Sequence, residues 1–371
     1  MSGVYLLSLQ ALVASSPTAS SSASSTLRPT TSAFSTARWL VRGIGGELLT
    51  NVAGRGGPGW RRAFRGQRVP PMVDSDVAIV SGATGGIGAE VSMGLASRGY
   101  HVIIAARDRH RGEQLVSGIR ASGGSAEFAE LHMDSAESAA AFPGVLRGRP
   151  CALLVNNAGV MSVGKGLIMR TNFLGPALLT TALLPSLKRH PSPRVVNVGS
   201  SSHLRALRVD ASTLSRVEVD GDLRAYAQSK LALMQFSTLM RQGACGCWLE
   251  VVDAHPGLVW TPMLQRHWGR LAPVLERLGI SRLLFKSSEC GAATVLAAAL
   301  APRVPPPQWG ERSRWTCGWR DGPYFVNQRP GGFASVESRD VQAARAAWAA
   351  MVARPAGRLT PEGCRELGLP A

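Results

Sequence analysis

The sequence predicts an α/β fold: one open, doubly wound parallel sheet flanked by helices on both faces, preceded by a disordered leader. Three observations carry this. A short apolar run, Val77–Val80, breaks at a glycine-rich turn, passes into helical periodicity and ends in a second apolar run, His101–Ala105. That is the length of a βαβ unit, whose crossover is right-handed. Three further apolar runs each close in a polar cluster: "CALLVNNAGVM" at 151–161, "RVVNVGSSSH" at 194–203 and "LEVVDAHPGLVWTPM" at 249–263. Composition agrees, with 45% hydrophobic and 18% charged residues over 371 positions, enough chain for one large domain or two ordinary ones.

The chain starts differently. "ASSPTASSSASSTLRPTTSAFSTARWLVRG" is rich in Ser, Ala and Thr, contains Arg and lacks acids; Glu47 is the only acid in the first seventy residues. Such a segment cannot bury enough apolar surface to fold alone. Its composition is that of an organellar transit peptide, with the chloroplast favoured and the mitochondrion second, and it lacks the compact apolar core of a secretory signal. An ordinary disordered tail is the plainer alternative. The following "GRGGPGWRRAFRGQRVPP" is expected to be linker. The organisation is therefore leader and linker over 1–73, a folded domain over 74–355 and a tail over 356–371.

Charge excludes less than it first suggests. The 41 basic and 24 acidic residues leave a formal charge of +17. Nearly all of the basic residues are Arg, scattered rather than striped, in a chain also rich in Ala, Gly and Pro, so no nucleic acid is expected as a partner. The six cysteines form no CxxC pair and no metal-ligand ladder, and no metal is expected. Reduced, mostly buried thiols are the default. No apolar stretch reaches the length of a transmembrane helix.

Each element then contributes to a site. Gly82, Gly86 and Gly88 give a GxxxGxG spacing between the first strand and its helix, which opens at Ile87 and continues through Val91 and Leu95. Glycine permits the tight turn and lets backbone approach a pyrophosphate, whose oxygens the helix N-terminus can bind. This makes the domain a Rossmann-type dinucleotide-binding sheet. The next strands end in Asn156-Asn157-Ala158-Gly159, the serine cluster at 200–202, and Pro256-Gly257. In open parallel sheets ligands bind at those strand ends. "AYAQSKLAL" adds Tyr226 and Lys230 one helical turn apart, on one face.

Taken in order, "SGATGGIG", "NNAG", "NVGS", "YAQSK" and "HPGLVWT" resemble the short-chain dehydrogenase/reductase family across residues 75–355. The flanks "VIIAARD", "SSSH", "AYAQSKLA" and "GPYFVNQ…ARAAWAAM" are most similar to its retinol-dehydrogenase-like branch, which includes plastid members related to a translocon-associated dehydrogenase. The resemblance implies a carbonyl–alcohol interconversion with a nicotinamide dinucleotide. Tyr226 would be the general acid/base, its phenol lowered from about 10 by a neighbouring ammonium and the oxidised nicotinamide. Lys230 would supply that ammonium and bind the nicotinamide ribose. Ser200 would orient the substrate carbonyl, with Ser201 and Ser202 as close rivals. Asn172 would hold a water that relays protons to the lysine.

The same resemblance assigns cofactor contacts to Ser81, Gly82, Gly86, Ile87 and Gly88 in the first turn, and to Arg107 and Asp134 beyond the next two strands. It adds Asn156, Ala158 and Gly159, then Tyr226 and Lys230, then Pro256, Gly257, Val259 and Thr261. An acid after the second strand would select NAD(H); here Ala106 occupies that place and Arg107 follows, so NADP(H) is preferred over NAD(H). Asp108 argues the other way. Ser81 replaces the usual Thr, His132 stands where relatives carry an Asp that Asp134 would have to replace, the 161–171 segment looks shortened, and 204–224 is long.

Residues 262–289 mix Leu, Trp and Arg at helical spacing. They either cover a lipophilic small-molecule substrate, such as a terpenoid, retinoid, sterol or pigment, or simply pack on the sheet. Peripheral membrane contact and a homodimer are further expectations. The alternative to an oxidoreductase is an NADP(H)-sensing regulatory or scaffold subunit of an organellar membrane complex. The segment 305–319 has no assignment.

Overall fold

The central strands Val77–Ser81 and Cys151–Asn156 are buried along their whole length, which is what a parallel sheet covered on both faces requires. In the computed structural model, residues 59–63, 76–161, 166–206, 209, 222–302, 324–330, 335 and 337–352 are described. Strands β1 (Val77–Ser81), β2 (His101–Ala106), β3 (Ser125–Glu130), β4 (Cys151–Asn156), β5 (Arg194–Val198), β6 (Glu250–His255) and β7 (Tyr324–Val326) pair in parallel. A two-residue β8 (Arg329–Pro330) runs antiparallel to β7. The order is β3-β2-β1-β4-β5-β6-β7-β8, so strand order reverses between β1 and β4. That reversal opens the crevice in which such sheets bind ligands. Asn327 and Gln328 both take positive φ (51° and 67°) to make the β7–β8 corner.

Helices α1 (Gly86–Ala96), α2 (Arg109–Ala121) and α9 (Ser288–Leu300) cover one face, burying Val91, Leu95, Val116, Ile119, Val295 and Leu296. On the other face lie α4 (Gly175–Lys188), α5 (Asp222–Gln242) and α10 (Val341–Val352), with α3 (Ala136–Ala141) beside α4. Trp348 of α10 stacks on Phe236 of α5 at 5.2 Å between ring centroids and meets Phe173 edge-on at 6.3 Å. The continuous helix Leu167–Lys188 is long and apolar enough to cross a membrane by composition, but 78% of that window is buried inside the domain. Three short helices, α6 (Pro262–Trp268), α7 (Ala272–Arg277) and α8 (Ile280–Leu284), follow β6.

Two expectations change here. Residues 59–63, assigned above to the linker, include a helical turn, Trp60–Ala63, and Trp60 is buried in the core beneath α1 and α9. Its indole N–H donates to Glu90 Oε2 at 2.8 Å, and Arg61 lies 3.3 Å from Glu90 and 3.4 Å from Glu289. Composition marks that stretch as polar; one tryptophan is enough to dock it. Of the thiols expected to be mostly buried, Cys151 is buried, Cys290 is half-buried and Cys247 is exposed in the turn between α5 and β6. The rest of the leader and linker, most of 204–221, residues 162–165, 305–319 and the 356–371 tail lie outside the described residues.

Candidate active site

The site starts at the glycine turn. Gly82 (φ 64°) and Gly86 (φ 56°) adopt left-handed conformations that glycine alone takes without cost. A Cβ on Gly82 would stand 2.7 Å from Ala158 Cα, and one on Gly88 would stand 2.5 Å from Asn157 Nδ2 and from Gly82 O. On the open side the reverse holds. A Cβ on Gly85 would meet nothing within 4 Å, and the nearest atom to one on Gly86 is Thr261 Cγ2 at 3.4 Å. The turn thus walls a cradle facing Thr261, and α1 begins there without a side-chain cap on its first-turn amides. Free helix-terminal N–H groups beside glycine backbone fit a pyrophosphate.

Several expected cofactor contacts instead build the wall. Ser81 is fully buried; its Oγ donates to Val155 O (3.3 Å) and accepts Asn157 N–H and Ala158 N–H, each at 3.1 Å. Its hydroxyl braces the two loops against each other and is turned away from the cradle. Asn156 lies below the crevice, its Nδ2 donating to Asn197 Oδ1 (2.8 Å) and Thr180 Oγ1 (3.0 Å), because the last residue of a doubly covered strand points into the core. The neighbouring Asn157, not singled out from the sequence, holds the glycine turn by donating to Ser81 O (3.0 Å) and Gly82 O (3.1 Å). The doublet was visible in the sequence, but not which asparagine faces which way. Ile87 packs sideways toward α9, so only its backbone faces the cradle. Ala158 and Gly159 line the crevice half-buried, and Asp134 is half-buried after β3.

Across the crevice, Pro256 and Gly257 (φ 87°) leave β6, Val259 bridges to Lys286, and Thr261 caps α6 by accepting Leu264 N–H at 3.4 Å. At the far end Arg107 is exposed directly after β2. Asp108 is occupied with its own helix: it caps α2 by accepting Arg111 N–H at 3.0 Å and pairs with Arg111 Nε at 3.5 Å. Its charge is thereby partly neutralised. His132 pairs with Glu130 at 3.0 Å on the surface.

The reactive groups meet where α5 passes the ends of β4 and β5. Tyr226 is buried and its hydroxyl is hydrogen-bonded to the Ser200 side chain. Of the three serines, Ser200 is therefore the one on the phenol; Ser202 braces it, donating its N–H to Ser200 Oγ at 3.2 Å. Met161, Ile168 and Ala225 pack with Tyr226, joined by Val160, Met263 and Leu264. That apolar chamber pushes the phenol up to about 12, the Ser200 hydrogen bond opposing the shift. The expected lowering is absent from the protein alone. Lys230, also buried, donates from Nζ to Val198 O at 2.8 Å and lies 5.8 Å from the Tyr226 ring centroid, and burial brings its ammonium down to about 8. Asn172 lies in a π-turn, Arg170–Leu174, and clamps Val160, accepting its N–H (2.8 Å) and donating to its carbonyl (2.9 Å). A Cβ on Gly159 would lie 3.5 Å from Asn172 Oδ1 and 3.7 Å from Lys230 Nζ, so these two groups flank the same glycine.

His203, unused by the sequence reasoning although "SSSH" displayed it, fixes the serine loop. Its Nδ1 lies 2.6 Å from Ser200 O and its Nε2 accepts Ser335 N–H at 3.3 Å. Those partners require a neutral ring with the proton on Nδ1. Burial pushes its pKa down to about 4, the Ser200 carbonyl opposing.

The family described as short chain dehydrogenase matches residues 76–270. A polyprenol dehydrogenase of Mus musculus is 40% identical over 263 residues, covering 66% of this chain and 78% of that protein. Retinol dehydrogenase 12 of Mus musculus is 32% identical over 251 residues, covering 63% and 76% respectively. An uncharacterised protein of Mycobacterium paratuberculosis has a similar solved structure, with a TM-score of 0.56 and 26% identity over 79% of this chain and 96% of that one.

Proposed function

The chain belongs to the short-chain dehydrogenase family, in its retinol-dehydrogenase-like branch, and we propose on that premise that it interconverts a lipophilic alcohol and its carbonyl with NADP(H) in the chloroplast. The observation that carries the reading is the hydrogen-bonded Tyr226–Ser200 pair in an apolar chamber, beside buried Lys230 and the glycine cradle. A buried phenol held near pKa 12 is protonated at neutral pH and suited to donate. In the reducing direction Tyr226 gives its proton to the carbonyl oxygen while Ser200 holds that oxygen in place. When bound, the nicotinamide supplies the hydride and, once oxidised, a positive charge that favours phenolate. Lys230 and Asn172 flank Gly159, which is consistent with the proton-relay role that the family resemblance gives them.

Arg107 supports the cofactor preference: it is exposed directly after β2, where an arginine can accommodate a 2′-phosphate, while Asp108 is paired with Arg111. Methionine, leucine and isoleucine around the phenol support a lipophilic substrate, and the relatives' names carry polyprenol and retinol, both long apolar alcohols. The test is NADPH consumption against lipophilic aldehydes and ketones, with Tyr226→Phe as control. Tight NADPH binding with no turnover on any of them would overturn the enzyme and favour the NADP(H)-sensing subunit.

A further inference from the structure

Among the described residues, six large apolar side chains remain exposed, and four of them lie between residues 271 and 283. Leu271, Val274, Leu278 and Leu283 are between 42% and 65% exposed. The first three are spaced by three and four, so they share one helix face; Leu283 is on α8, which packs against α7. Short helices are held by what they bury rather than by their own hydrogen bonds. Yet across 262–284 only the small residues Ala272 and Ser281 are buried. The segment is held to the domain at its base, where Trp260 and Trp268 pack on Phe285 at 4.9 and 6.5 Å between centroids, and at its inner edge, where Met263 and Leu264 meet the Tyr226 cluster. The covering expectation is met at the inner edge, where the segment meets the Tyr226 cluster, while most of its other residues stay exposed.

The outer face is also one-signed. Arg266, Arg270, Arg277 and Arg282 are all exposed, against the single acid Glu276. The Oε1 of Glu276 accepts hydrogen bonds from Trp260 Nε1 at 2.6 Å and Gln265 Nε2 at 2.9 Å. The remaining two exposed side chains, Leu204 and Leu223, lie four residues after Ser200 and three before Tyr226. Among the described residues, the exposed large apolar groups therefore fall on this segment or close in sequence to Ser200 and Tyr226.

We infer that the outer face of α6–α8 is a docking surface for a membrane leaflet carrying anionic headgroups. Leucine and valine enter the headgroup–acyl boundary, while arginines at its margin reach the phosphates. A second copy of the chain is a poorer occupant, since it would bring four arginines onto four in a protein of charge +17. The inference does not depend on the reaction. If the site does take a lipophilic molecule, docking sets its mouth against the phase that holds one.

The test is flotation of the full chain with vesicles of phosphatidylcholine alone or mixed with phosphatidylglycerol. The wild type should bind the mixed vesicles at least about ten-fold more tightly, and salt should weaken that binding. Arg270→Gln with Arg277→Gln should lose roughly five-fold per arginine, and Leu278→Glu with Leu283→Glu should lose at least as much. Both pairs are exposed, so melting temperature and NADPH affinity should stay at wild-type values. Wild-type indifference to the lipid charge overturns the inference. So does full vesicle binding by both double variants, which would assign it to the leader or another surface. A wild-type dimer that Leu278→Glu turns into a monomer would make the occupant a second copy, and capture of an acidic protein without vesicle binding would make it a protein.

Discussion

Replacing Trp60 by alanine removes the buried side chain that docks residues 59–63 on the domain. A buried tryptophan hides roughly 200 Å² of surface. At about 25 cal/mol per Å² that is about 5 kcal/mol as an upper bound. Trp60 sits at the edge of the core, where water can refill the space, so the lower end of measured Trp→Ala costs applies, about 3 kcal/mol. Arg61 adds little: its side chain is 52% exposed, and ion pairs of that kind contribute less than about 1 kcal/mol. For a domain of this size, 3 kcal/mol corresponds to a fall of roughly 6–12 °C in melting temperature. Scanning calorimetry on Trp60→Ala, and on chains lacking residues 1–70 or 1–55, measures this directly. The longer deletion should fold and bind NADPH but melt like Trp60→Ala; the shorter should melt like the full chain. If Trp60→Ala and the 1–70 deletion both melt within about a degree of the wild type, the contact contributes nothing and residues 59–63 return to the linker.

Tyr226→Phe keeps the ring and its packing while deleting the proton donor, so turnover should fall roughly 10²–10⁴-fold with NADPH affinity nearly unchanged; a variant retaining most of the wild-type rate would remove Tyr226 from the mechanism. Lys230→Ala should impair both turnover and NADPH binding, measured as separate kcat and Kd effects, because the ammonium flanks Gly159 and also holds the end of β5 through Val198 O. Arg107→Ala should weaken NADPH about ten-fold or more and leave NADH unchanged, and equal titration curves for the two cofactors in the wild type would refute the preference. For His203 the folded pKa, about 4, lies below its ordinary 6.5, so the unfolded chain binds the extra proton and stability is lost as pH falls through that window. The loss amounts to at most about 3 kcal/mol, and denaturant titrations of His203→Gln should show a flatter pH dependence than the wild type between those limits.

Much of the architecture was legible because it is written in local pattern. The apolar runs of the central strands announce a sheet buried on both faces, and Gly82, Gly86 and Gly88 announce a turn that backbone sterics require. What escaped depends on partners distant in sequence. Trp60 looks like linker because the pocket that receives it is made by α1 and α9, whose contacts begin some thirty residues later at Glu90. Asn156 and Asn157 are chemically identical neighbours, and only the pleat of β4 sends one into the Thr180–Asn197 network and the other onto the glycine turn. Tyr226 and Lys230 show the limit most clearly. Helical spacing brings phenol and ammonium onto one face, and a direct charge effect on the phenol looks inevitable. But a buried ammonium takes the strongest acceptor within reach, and here that is the carbonyl of Val198 at the end of β5, 32 residues earlier in the chain. With the ammonium held there and Met161 and Ile168 packed on the ring, burial raises the phenol and only the Ser200 hydrogen bond opposes it. Spacing along a helix identifies which groups share a face; the strand end they face decides what each of them binds.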